Sequence, residues 1–147
     1  MIDKNCLGAS TEDRFVVVDL SQVRLFAQAI SDSRFCYTDE DILADIAERK
    51  LPVPPTFMQT LSNLSPPGQD VIIDIAGAPL DRLLHASQEF DYHHPIYVRD
   101  IISIKDTITD IKEKKDGALI FLTKQSTYHN QNNIHCGTSR STVLVRV

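Results

Sequence analysis

Leu84-His85-Ala86-Ser87-Gln88-Glu89-Phe90-Asp91-Tyr92-His93-His94-Pro95 is the stretch that decides the fold class of this chain. Leu84, Ala86, Gln88, Phe90 and Tyr92 alternate with His85, Ser87, Glu89, Asp91 and His93. A period of two marks a strand with one face toward a core, and Pro95 ends it because proline has no amide to give to a ladder. The same pattern recurs downstream. Ile101 to Ile111 predicts a second strand, with a slip in alternation near Asp106 where a bulge is expected. Asp116-Gly117 predicts the turn into a third strand, Ala118 to about Tyr128. Asn130-Gln131-Asn132-Asn133 predicts another turn, and Ile134 to Val147 a last strand. The expectation is a long antiparallel meander of four strands.

Upstream the periodicity is helical. Residues 1–14 are polar and irregular and read as a loosely held, flexible arm, followed by Phe15-Val16-Val17-Val18 as an edge strand or extended lead-in. Asp19 and Gln22 have capping-box spacing, and Leu20, Val23, Ala27 and Ile30 fall on one helix face. Thr38 as N-cap, acids at 39–41, an apolar stripe of Ile42, Leu43, Ile46 and Ala47, and Arg49 and Lys50 at the end predict a second helix. Leu51-Pro52-Val53-Pro54-Pro55 must be extended, because the residue before a proline is pushed out of the α region. Thr56 and Gln59 repeat the capping-box spacing before Phe57, Leu61 and Leu64, a short apolar helix stopped by Pro66-Pro67-Gly68. Val71-Ile72-Ile73 reads as a short strand, and Gly77-Ala78-Pro79 as a turn. Helices first and a one-faced sheet afterwards give an α+β class, with the sheet curled around the short apolar helix.

Composition narrows the partners. A chain of 147 residues is sized for one domain and buries about two-thirds of its unfolded surface. A net charge of −5 without a basic cluster argues against nucleic acid and anionic membrane surfaces. Neither an apolar run of the roughly 20 residues needed to span a bilayer nor a leader pattern at Met1-Ile2-Asp3-Lys4-Asn5 is present. Cys6, Cys36 and Cys136 are odd in number and irregularly spaced, so no disulfide framework or zinc knuckle is expected, and a reducing cytoplasm fits. No nucleotide- or dinucleotide-binding glycine pattern and no Gly-x-Ser-x-Gly appears, so no cofactor is expected. Asp39, Glu40 and Asp41 are consecutive rather than convergent, and their place in a first helical turn explains them without a metal.

The chemistry falls on Ala29-Ile30-Ser31-Asp32-Ser33-Arg34-Phe35-Cys36-Tyr37-Thr38-Asp39. A carboxylate just beyond a helix C-terminus faces the negative end of the macrodipole and gains nothing for stability, which favours a functional reason for Asp32. This stretch resembles the hydratase motif of the MaoC-like dehydratases, where an aspartate follows the first helix, a histidine comes five residues later and an acid two further on. Asp32 and Asp39 hold the acidic places, and Tyr37 stands where that family has histidine. Further landmarks are Val53-Pro54-Pro55-Thr56-Phe57, the strand from Leu84 to Ile96, and Thr138-Ser139-Arg140-Ser141-Thr142. The resemblance covers residues 15–147 and is strongest to the N-terminal-type half of hydroxyacyl dehydratases.

The resemblance implies a single hot-dog fold, an antiparallel sheet wrapped around a central helix opened by Pro55, Thr56 and Phe57. Those residues would border the substrate, with the first helical amides aimed at a thioester carbonyl. It implies acyl-CoA or acyl-carrier-protein thioesters as ligands, and pairing of two hot-dog units of which often only one holds the working Asp/His. Hydration of a 2-enoyl thioester needs a group that both takes and returns a proton near pH 7. Histidine, with an ordinary pKa of about 6.5, does this; tyrosine, at about 10, is a poor base. Asp32 and Tyr37 are therefore expected to form a degenerate site. The first expectation is a non-catalytic subunit of a heteromeric (R)-specific enoyl-thioester hydratase or 3-hydroxyacyl dehydratase, shaping the acyl channel. A self-sufficient hydratase or thioesterase using Asp32 (Glu89 or Asp91 for hydrolysis), as a homodimer, and a thioester-binding scaffold subunit without turnover are the alternatives. His93 and His94 fall at a position that is structural in that family. His85, on the polar strand face, and His129 and His135, beside a turn, read as solvated.

Overall fold

The computed structural model describes residues 2–41, 51–66 and 68–146. Five strands form one antiparallel sheet: β1 (Arg14–Val17), β2 (Leu83–Tyr92), β3 (Ile101–Lys114), β4 (Leu119–His129) and β5 (His135–Arg146). Among the described residues, the helices α1 (Leu20–Ala29) and α2 (Phe57–Leu64) precede the long strands. The strand order is β1-β3-β4-β5-β2. The meander therefore holds for β3, β4 and β5 only. β2 does not neighbour β3, as simple chain order would have it, but crosses to the far edge and pairs with β5 from Leu83↔Val145 to Tyr92↔Gly137.

α2 is short, and packing rather than propensity holds it. Phe57, Met58 and Leu61 lie at i, i+1 and i+4, and all three are buried against Ile102, Ile104, Tyr128 and Cys136 of the sheet. Each such side chain contributes about 1.5–3 kcal/mol through burial. The expected capping box at Thr56 does not form: Thr56 is already in the α region (φ −74°, ψ −5°) and caps nothing with its side chain. The turn begins at the prolines instead, with the Phe57 amide donating to the Pro54 carbonyl at 2.9 Å. At α1 the cap does form, Asp19 accepting from the amides of Ser21 and Gln22. Thr38 and Asp41 also cap one another, the Asp41 carboxylate taking the Thr38 amide at 2.6 Å. The apolar stripe and terminal cations expected at 42–50 lie outside the described residues.

The N-terminal residues depart from expectation. They are not a loose arm: Ile2, Cys6 and Thr11 are buried, and the Gly8 and Thr11 amides donate to the carbonyls of Ile108 and Asp106. Val71–Ile75 is a single wide helical turn rather than a strand. Asp70 imposes it by accepting from the amides of Ile72 and Ile73 at 2.7 and 3.0 Å. Both segments pack with Ile108, Ile120, Leu122 and Val145 as a second apolar cluster.

A polar seam separates that cluster from the one beneath α2. Asp106 causes no slip in β3; Ile102, Ile104, Asp106 and Ile108 share the inner face and are all buried. The bulge lies further on, between Ile108 and Asp110. Arg14 Nη2 donates to Asp106 Oδ2 at 2.7 Å and Ser126 Oγ to Oδ1 at 2.6 Å. Lys124 Nζ stands 3.7 Å from the same carboxylate, and Arg14 also reaches Ser65 on the α2 side at 2.9 Å.

Candidate functional site

α1 ends in a Schellman turn. Ser31 takes a positive φ of 57°, its amide donates to the Gln28 carbonyl, and the Asp32 amide donates to that of Ala27 at 2.9 Å. A serine in the left-handed region costs roughly 1 kcal/mol or more, which the closed turn offsets. The turn points Asp32 away from the helix and into a short 3₁₀ turn, Ser33–Phe35, which its side chain caps.

Asp32 is then taken by Arg34. The guanidinium donates from Nε to Oδ1 at 2.9 Å and from Nη2 to Oδ2 at 2.7 Å, a bidentate pair. Hydrogen bonding from Arg34 is the main reason the Asp32 carboxyl sits below its ordinary range. A carboxylate held so is a weaker base than a free one. Tyr37 is engaged as well: its hydroxyl donates to the Pro52 carbonyl at 2.5 Å, and its own carbonyl accepts from Arg24 Nε at 2.5 Å. The ring packs on the α2 cluster and meets Phe35 edge-on at 6.4 Å.

A cavity of about 350 Å³ opens beside this loop, lined by Val53, Pro55, Met58, Tyr92, His93, His94, Pro95 and Ile96. That size and apolar lining suit a small ligand. Val53, Met58 and Ile96 are buried and make its floor, while Pro55, Tyr92, His93 and Pro95 are exposed at its mouth. Burial raises the Tyr92 phenol above its usual value, so it is a neutral donor near pH 7. His94 Nδ1 donates to the Pro95 carbonyl at 2.7 Å, which leaves Nε2 as the acceptor of the neutral ring. His93 packs on His135, with ring centres 4.7 Å apart, and His135 on His129 at 5.0 Å. Among the described residues no group of three His, Cys, Asp or Glu side chains is placed to hold a metal.

Of the residues expected at the substrate, Pro55 lines this cavity. Thr56 is exposed, and Phe57 turns inward, edge-on to Phe26 at 5.4 Å. The amides of Phe57, Met58 and Gln59 donate to the carbonyls three residues back, so they are not the free donors expected there. Asp32 and Tyr37 are not among the lining residues; Tyr37 adjoins them through Pro52, whose neighbour Val53 is in the wall. His93 and His94, expected to be structural, stand at the mouth, and Met58 was not anticipated at all. The signal for the histidines was their position, at the end of a strand whose Tyr92 faces α2.

Comparison with known proteins places this arrangement. The model of the FAS1-like dehydratase domain region matches residues 5–138. A UPF0336 protein of Thermobifida fusca is 30% identical over 125 residues, covering 85% of this chain and 80% of its own. In structure, the HadBC (3R-hydroxyacyl-ACP dehydratase) complex of Mycobacterium tuberculosis is similar, with a TM-score of 0.72 at 19% identity over 95% of this chain and 96% of its own. A MaoC-like dehydratase from Rhodospirillum rubrum superposes with a TM-score of 0.68 at 16% identity, covering 99% and 97%. No described helix is long and apolar enough to cross a membrane. This chain, a five-stranded sheet packed over the buried face of a central helix, belongs to the FAS1-like dehydratase family and has the hot-dog fold.

Proposed function

We propose that this chain is the thioester-binding, non-catalytic subunit of a heteromeric (R)-specific enoyl-thioester hydratase or 3-hydroxyacyl dehydratase. One observation carries the reading: the loop that should hold a carboxylate and an imidazole instead holds Asp32 clamped by Arg34 and Tyr37 donating to a backbone carbonyl. The apolar cavity next to it is intact. On this reading the chain keeps a place to bind and lacks a working proton-transfer pair, which a second hot-dog chain with an intact Asp/His pair would supply. The likeness to HadBC, a dehydratase described as a complex, supports this arrangement. The ligand would be an acyl-CoA or acyl-carrier-protein thioester.

The test is hydration of trans-2-butenoyl-CoA by the purified chain alone, by its Asp32→Asn variant, and by the chain co-expressed with an Asp/His-bearing hot-dog chain of the same genome. The expected result is no hydration by the chain alone and full activity only in the pair. Activity of the lone chain that disappears in Asp32→Asn would overturn the reading. The imidazoles of His93 and His94 at the cavity mouth favour one rival, a self-sufficient enzyme, and variants of these two would then be the next to assay.

A further inference from the structure

We propose that the cavity takes an unbranched acyl chain of no more than about ten carbons, and that Met58, seated on Gly137, is the stop that sets this length. The inference rests on the thioester-binding reading above and adds to it the size of the ligand.

The cavity has the polarity of an amphipathic guest. Its buried floor is Val53, Met58 and Ile96, all without a charge, and its polar groups, Tyr92, His93 and His94, are confined to the mouth. An apolar chain enters tail first and leaves its polar head among the rings. A methylene takes up about as much room as a water molecule, about 30 Å³, so 350 Å³ holds about ten to twelve carbons. The open mouth accounts for part of that space, which brings the limit to about ten.

Met58 is the least exposed of the three floor residues, and a tail that enters from the mouth would end on it. It is only 2% exposed, it is the second residue of α2, and it rests on β5 at Gly137. A side-chain carbon at 137 would sit 2.9 Å from Met58 Cε and would run into the carbonyl of Asp91. The missing side chain at Gly137 is thus what lets the thioether lie against the sheet at the base of the cavity. Methionine is unbranched and adaptable, and here it is a floor that a chain can press against but not pass. Replacing it by alanine removes three heavy atoms and opens room for about three further carbons.

The test is binding of saturated acyl-CoAs from four to sixteen carbons to the full chain, and to its complex with the partner if one is found. Affinity is expected to rise about fourfold per methylene, to level off near ten carbons, and in Met58→Ala to level off near thirteen. An unbroken rise to sixteen carbons in the wild type, or a plateau unmoved in Met58→Ala, overturns the inference while leaving thioester binding standing. Binding of no acyl-CoA by either form overturns the functional reading itself. Should Met58→Ala fail to fold, the wild type suffices. The chain has 2 methionines, Met1 and Met58, so methyl-labelled methionine gives a resonance for Met58 that needs little assignment. Decanoyl-CoA is expected to shift it and butanoyl-CoA to leave it in place; equal response to both overturns the assignment of Met58 as the stop.

Discussion

Arg34 closes on Asp32 through two parallel hydrogen bonds, at 2.9 and 2.7 Å, across a separation of only two residues in the chain. The acid that a hydratase would keep available is thereby neutralised by its own loop. The clamp needs no distant element: both its partners lie within one turn of the chain.

Arg34→Gln is expected to raise the Asp32 carboxyl toward its ordinary value. The folded carboxyl is lowered, chiefly by the Arg34 hydrogen bonds. Its stabilisation is therefore present above the unfolded value, about 3.9, and is lost as pH falls through the folded one. In the variant this contribution to the acid limb of the stability curve shrinks to what the backbone amide of residue 34 supplies. Carboxyl-detected NMR titration of the two proteins measures the shift, and identical midpoints would sink the idea. Hydration activity is not expected to appear, since Tyr37 remains.

Tyr37→Phe removes the hydroxyl that donates to the Pro52 carbonyl at 2.5 Å. The ring keeps its packing, and the hydrogen bond to Pro52 accounts for a loss of about 1 kcal/mol. Urea denaturation reads it directly. A far larger loss would mean that the hydroxyl does more than tie the loop to the cavity wall.

Asp106→Ala strips the polar seam of its acid. Arg14 and Lys124, each with only 18% of its side chain exposed, then face one another without a counter-charge. Breaking a buried pair in this way costs about 3–5 kcal/mol. The measurement is again chemical denaturation, and a loss under 1 kcal/mol would show that water reaches both cations.

Gly137→Ala drives a methyl group against the Asp91 carbonyl and Met58 Cε. Overpacking of this kind costs about 1–3 kcal/mol. Differential scanning of wild type and variant tests it. An unchanged melting temperature would mean that β2 and β5 separate at that end without penalty.

The class of the fold was legible in the chain because its signals are local. Alternation along Leu84 to Tyr92 and the apolar spacing of Phe57 and Leu61 each depend on neighbours within a few residues. Strand order was not legible, since nothing along β2 says whether β3 or β5 is to be its partner; the bridge from 92 to 101 permits either. Asp106 looked like a defect in the pattern because its partner, Arg14, is 92 residues away. Val71-Ile72-Ile73 has strand-like residues, yet Asp70 just before it caps two amides and winds it up. At the site, Tyr37 in the place of a histidine was read from the resemblance to the MaoC-like motif, residue against residue. The grip of Arg34 on Asp32, and the arrival of His93, His94 and Met58 at one cavity, depend on backbone geometry that spacing does not encode.

Tyr92 belongs at once to the last strand of the sheet and to the wall of the cavity. A partner strand added along β2 would therefore be laid beside the cavity, and partner and guest would share Tyr92. By linkage the two effects are equal: whatever factor a partner adds to the affinity for the guest, the guest returns to the affinity for the partner. Were guest and partner coupled through Tyr92, the fraction of chains assembled would itself read how much of the guest is present.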